Sequence, residues 1–66
     1  MVTIYLDNGV SLTKLAEAQG LDEAWDFMVE DLKSKNINPP YYRVWDKDNI
    51  RTIDFGSHSY FYQFHF

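Results

Sequence analysis

Cysteine is absent from this 66-residue chain, which excludes a disulfide framework, thiol chemistry and any Cys-based zinc site. No apolar run approaches the ~20 residues that a membrane-spanning helix needs, and no charged-then-apolar leader opens the sequence. A protein of the cytoplasm, of a cell or of an infected host cell, is therefore expected, with no membrane partner. Basic residues are scarce and unevenly placed: six acids and no Lys or Arg lie between Glu17 and Asp31. Proline occurs only as Pro39-Pro40, a helix-forbidding pair. No internal repeat, low-complexity segment or linker divides the chain, so residues 1–66 read as one small α+β domain.

The chain is rich instead in aromatic and acidic residues. Apolar residues make up 45% and aromatics 18%, too hydrophobic for a disordered segment. A chain this short sits near the lower limit for folding unaided, so an aromatic-heavy core is expected and a homodimer is a candidate state. The net charge of −4 is polarised. Leu32 to Phe66 holds five bases against three acids, which leaves the negative charge in the middle of the chain. A negative surface repels a phosphate backbone and favours basic partners.

That acidic middle is also the strongest structural signal. Leu21, Ala24, Trp25, Met28, Val29 and Leu32 recur at the spacing of one buried helical stripe, predicting a helix over 21–35. Asp22, Glu23, Asp26, Glu30 and Asp31 fall on its other side. Phe27 stands among them, roughly opposite the apolar stripe. The helix should stop near Asn36, ahead of the two prolines.

Elsewhere the pattern is mixed. Val2, Ile4 and Leu6 alternate with Thr3, Tyr5 and Asp7, the period of a half-buried strand, and Asp7-Asn8-Gly9 turns the chain. Ser11 is then expected to cap a short helix over 12–19 that ends at Gly20. From Tyr41 onward the sequence predicts three strands: Tyr41 to Trp45, Ile50 to Phe55 and Tyr60 to His65. Asp46 to Asn49 and Gly56 to Ser59 serve as four-residue loops. Loops of that length put Tyr42, Val44, Arg51, Ile53, Phe55, Tyr60, Tyr62 and Phe64 on one face, the more apolar one. The expected fold is an antiparallel sheet of three to four strands in β-α-α-β-β-β order, with one face covered by a short and a main helix. The other face, with Tyr5, Tyr41, Trp45 and Phe61, should meet solvent or a partner.

Several motifs bear on chemistry. The stretch Leu12-Thr13-Lys14-Leu15-Ala16-Glu17-Ala18-Gln19-Gly20-Leu21 resembles the first helix and turn of a helix-turn-helix, with the later hairpin in the place of a wing. The resemblance implies DNA binding, yet the recognition helix would present Asp22, Glu23, Asp26 and Glu30, where base readers carry Arg, Lys, Asn or Gln. Asp46, Asp48 and Asn49 look like the start of a calcium loop but lack its glycine and distal glutamate. His58 and His65 lie seven residues apart with only Asp54 near, so no metal or other cofactor is expected. Ser57-His58 carries no sign of an oriented nucleophile pair. Asp54-Phe55-Gly56 matches a kinase tripeptide in a chain with no room for a nucleotide lobe. Carboxylates on an open helix have nothing to separate their pKa values. No enzyme is expected.

The function read from these residues is a small acidic, non-catalytic protein-binding module, an inhibitor or adaptor. It would dock Asp22, Glu23, Asp26, Phe27, Glu30 and Asp31 on a basic surface of a partner protein, with Phe27 as the anchor. In its sharper form the carboxylates mimic nucleic-acid phosphates, as in proteins of viral or mobile-element origin. Two alternatives stand beside it. One is a structural dimer formed through the aromatic sheet face of Tyr41, Arg43, Trp45 and Phe61. The other is a weak single-strand nucleic-acid binder that stacks bases on that face, or a degenerate winged helix-turn-helix.

Overall fold

The alternating start of the chain forms strand β1 (Val2–Asp7), with Val2 and Ile4 buried. A computed structural model describes all 66 residues. After β1 the chain turns through Asn8 to Ser11, held by side-chain acceptors. Asp7 Oδ1 takes the Gly9 N–H at 2.8 Å, and Asn8 Oδ1 takes the N–H groups of Val10 and Ser11, each at 2.9 Å. Gly9 has φ +87°, a conformation for which an L side chain is poorly suited.

The next segment departs from the sequence expectation. Residues 12–19 do not form a helix; Leu12–Ala18 is strand β2, paired antiparallel with β1. The helix-turn-helix resemblance therefore has no helix behind it. The physical reason lies at Leu15. Tyr5 pairs with Lys14 but Ile4 pairs with Ala16, so Leu15 is an extra, bulged residue. The bulge sends Leu15 and Ala16 both towards the core. It thereby erases the period-two signal and imitates helical spacing. Gly20 is no helix stop either: at φ −155° it is extended and serves as the N-cap of the one helix.

That helix, α1 (Leu21–Ser34), buries Ala24, Met28 and Leu32. Gly20 contributes no side-chain cap, but Asp22 and Glu23 lie in the first turn, favourable at the positive end of the helix dipole. The C-terminus closes with a left-handed residue, Asn36 at φ +58°. Its N–H reaches Lys33 O at 3.0 Å, while the Ile37 N–H reaches Leu32 O at 2.9 Å, the paired bonds of a Schellman motif. At 14 residues, α1 is not long and apolar enough to cross a membrane.

Three strands complete the chain: β3 (Arg43–Lys47), β4 (Ile50–Asp54) and β5 (Phe61–His65). All pairs are antiparallel, in the order β2-β1-β5-β4-β3. The fold is thus α+β with a five-stranded sheet in β-β-α-β-β-β order, one strand more and one helix fewer than expected. The β3–β4 loop is also shorter than its four expected residues. Asp46 and Lys47 belong to β3, and only Asp48 and Asn49 turn, at φ +53° and +61°. Two consecutive left-handed residues are the type I′ turn that matches strand twist. A change from four to two keeps the parity, so each residue keeps its expected face. Ile53, Phe55, Tyr62 and Phe64 are buried as a core face should be.

The single helix covers one face only, and not all of it. It contacts β1, β2 and β5. It reaches towards β3 through Trp25, whose ring meets Tyr42 at 5.0 Å. Val44 and Tyr42, at the uncovered margin, remain exposed.

Candidate functional site

The residues singled out by the sequence fall on two separate surfaces. The first is the outer side of α1. Ala24, Met28 and Leu32 mark its buried line, and at ~100° per residue Phe27 lies about a quarter-turn from that line. Measured from the centre of the whole stripe (Leu21, Ala24, Trp25, Met28, Val29 and Leu32) it lies ~130° away, and it is not among the residues packed on the core. The residue is 37% exposed, so another molecule can reach it. Asp22, Glu23, Asp26 and Glu30 are exposed around the outer face. Glu30 is loosely paired with Lys33 at 3.7 Å, while Asp22, Glu23 and Asp26 have no ion-pair partner.

Asp31 departs from the outer group. Its side chain is 18% exposed and turns to the sheet. There its Oδ2 accepts from the Tyr62 hydroxyl at 2.5 Å and from Lys35 Nζ at 2.7 Å. Burial works to raise the Asp31 pKa, but the bonds from Lys35 and Tyr62 outweigh it and hold the carboxyl below its ordinary value of 3.8. Burial first, and then the Asp31 carboxylate, push the Tyr62 phenol well above its ordinary 10.0. Asp31 therefore belongs to the join between helix and sheet, with no carboxylate to offer a partner. Two local signals point to this, since Asp31 is seven residues and so ~20° from buried Ala24 and Lys35 follows four residues on, but Tyr62 lies on the last strand and is not signalled.

The second surface is the open sheet face. Trp45 and Phe61 meet edge to face at 6.5 Å, and Tyr5 and His65 lie 4.5 Å apart. Arg43 sits over the ring of Tyr41 at 5.4 Å. Of the residues expected on this face, Trp45 meets Phe61, and Tyr41 meets Arg43 in a separate pair.

The remaining motifs have local structural roles. Asp46 is held by Arg51 through two parallel bonds, Nε to Oδ1 at 2.7 Å and Nη2 to Oδ2 at 2.9 Å. That pairing holds the Asp46 carboxyl below its usual range and raises the Arg51 guanidinium. Asp46, Asp48 and Asn49 are thus an ion pair and a turn, not an oxygen cage. Asp54 Oδ1 accepts the Gly56 N–H at 2.9 Å, which shapes the turn behind the kinase-like tripeptide. Ser57 Oγ accepts from the Tyr60 N–H at 3.2 Å, and His65 Nε2 shares a hydrogen bond with Gln63 at 2.9 Å. No group of three His, Cys, Asp or Glu side chains is placed to hold a metal ion.

A groove of about 580 Å³ also opens where the α1–β3 connection passes the end of the sheet, walled by Ile37, Pro39, Pro40, Phe55 and Tyr60. No pattern in the sequence signals it, since its walls come from distant segments. No family model, curated protein or solved structure matches the chain.

Proposed function

We propose that the protein is a non-catalytic binding module that docks the outer side of α1 on a basic surface of another protein. One observation carries this reading. Asp22, Glu23 and Asp26 are exposed with no basic partner in their own chain, next to a ring that is partly bare. Unpaired carboxylates steer encounter with a cationic surface, and an aromatic enclosed by polar groups makes a good central anchor. Glu23, Asp26, Phe27 and Glu30 form the nearest set, and Asp22 extends it. In the finer form of the proposal the module is an inhibitor or adaptor, and the spaced carboxylates enter a groove built for phosphates.

The test is capture of partners from the source cells on wild-type protein and on a Phe27→Ala/Asp26→Lys variant. A partner held by the wild type and lost by the folded variant is the expected result. Equal capture by both would rule out the helix face as the docking surface. For phosphate mimicry, duplex DNA should displace the captured partner at low salt, and failure to do so rejects that form.

The uncovered sheet face supports a second reading, self-association through Trp45 and Phe61. Solution mass decides it: a Trp45→Ser variant should revert a dimer to a monomer, and a wild-type monomer at high concentration ends the reading.

A further inference from the structure

Four of the six basic side chains have a carboxylate partner within the molecule, Lys14, Lys35 and Arg51 closely and Lys33 loosely. The remaining two, Arg43 and Lys47, have no ion-pair partner. They lie on the same face of β3, two positions either side of Trp45 and so ~13 Å apart along the strand. Trp45 itself is 47% exposed.

β3 is also an open edge. It pairs with β4 alone, ends the sheet, and is not contacted by α1. All five of its residues are exposed, none is proline, and its register with β4 runs without a bulge. A row of its backbone N–H and C=O groups therefore faces outward without strand partners. The opposite edge is unlike it. β2 carries the bulge at Leu15, and its two charges, Lys14 and Glu17, are paired with each other at 3.1 Å.

We propose that the outer edge of β3 is a strand-addition site for an extended acidic peptide segment of another protein. Carboxylates four residues apart would flank an apolar side chain, so that they meet Arg43 and Lys47 while the apolar group lies beside Trp45. Opposite charges at neighbouring positions on adjacent strands stabilise pairing, and the main-chain bonds supply sequence-independent affinity. On the strand's other face Val44 offers an exposed apolar contact, and Asp46 is engaged by Arg51 and so offers less repulsion. A second copy of β3 is a poor occupant. Full antiparallel overlap sets Arg43 against Lys47 twice, and like charges directly opposite are destabilising. This site is separate from the α1 face, and takes a partner of opposite charge.

The experiment is a backbone-amide NMR titration with the blocked peptide Thr-Glu-Thr-Val-Thr-Glu-Thr. Shifts and slowed amide exchange should be confined to residues 43–47 and their β4 neighbours. A peptide with both Glu replaced by Lys should bind the wild-type protein roughly tenfold more weakly. An Arg43→Glu/Lys47→Glu variant should reverse that preference. Methylating the peptide amides that face β3 should abolish binding. No shift in 43–47 at millimolar peptide, or equal affinity for the two peptides, overturns the proposal. Shifts centred on α1 overturn it as well. Because the peptide comparison uses unaltered protein, a variant that fails to fold does not blur the result.

Discussion

Tyr62 makes the only side-chain hydrogen bond that crosses from sheet to helix, and it does so from a fully buried ring. Its hydroxyl points at Asp31 Oδ2, the same oxygen that Lys35 Nζ holds, and the Lys35 ammonium lies 5.9 Å from the centre of the Tyr62 ring. Bonds to charged acceptors contribute more than neutral ones, so Tyr62→Phe should cost about 1–3 kcal/mol, read from urea unfolding. The same cluster sets the pH dependence. Asp31 titrates lower in the folded chain than in the unfolded one, so its contribution is complete above pH 3.8 and is lost as pH falls through the depressed value. Tyr62 titrates higher when folded, so its contribution is complete below pH 10.0 and is lost as pH rises beyond it. Asp31→Asn should flatten the acid limb of stability against pH, and Tyr62→Phe the alkaline limb. Unchanged limbs would show that the cluster does not form in solution.

At the level of elements, turn chemistry and periodicity explain most of what the sequence reveals. β1 announces itself through unbroken alternation, and α1 through six apolar residues on one stripe. The faces of β4 and β5 are legible because the loop joining them keeps the parity that Gly56 to Ser59 suggests, and the pairing of Ile53 with Tyr62 follows. β2 is illegible because one bulged leucine makes a strand look helical. The apolar stripe locates α1's buried line but not how far coverage extends round the helix. Phe27 stays outside the residues packed on the core, as its place off the stripe suggests. Asp31 is misplaced because its decisive partner is a long-range one. The β3–β4 hairpin gives a direct test of turn geometry. Asn49 holds φ +61°, a conformation costing most non-glycine residues roughly 1–2 kcal/mol. Asn49→Ala should lower stability by about 1 kcal/mol, whereas Asn49→Gly should leave it unchanged or raise it, both measured by thermal melting.

The whole molecule, 27 × 21 × 20 Å in extent, has unlike sides. Free carboxylates lie on the outer side of its helix, and free cations with aromatic rings on the bare side of its sheet. Groups on surfaces so far apart, sharing no contacts, should act additively. Arg43→Glu/Lys47→Glu should therefore leave the affinity of any α1-bound partner unchanged, and Phe27→Ala/Asp26→Lys should leave peptide binding at β3 unchanged. Calorimetry on the four-protein cycle checks both, and a coupling well above ~0.5 kcal/mol would mean that the two sides communicate.

β1 and β5 lie side by side at the centre of the sheet, with Thr3 paired to His65. During synthesis the first strand must wait, with Val2, Ile4 and one edge bare, until β5 has been made. Contacts that span so much chain are slow to find, and a half-built sheet is sticky in the interval. This small protein should thus fold sluggishly for its size and lean on chaperones while it is being born.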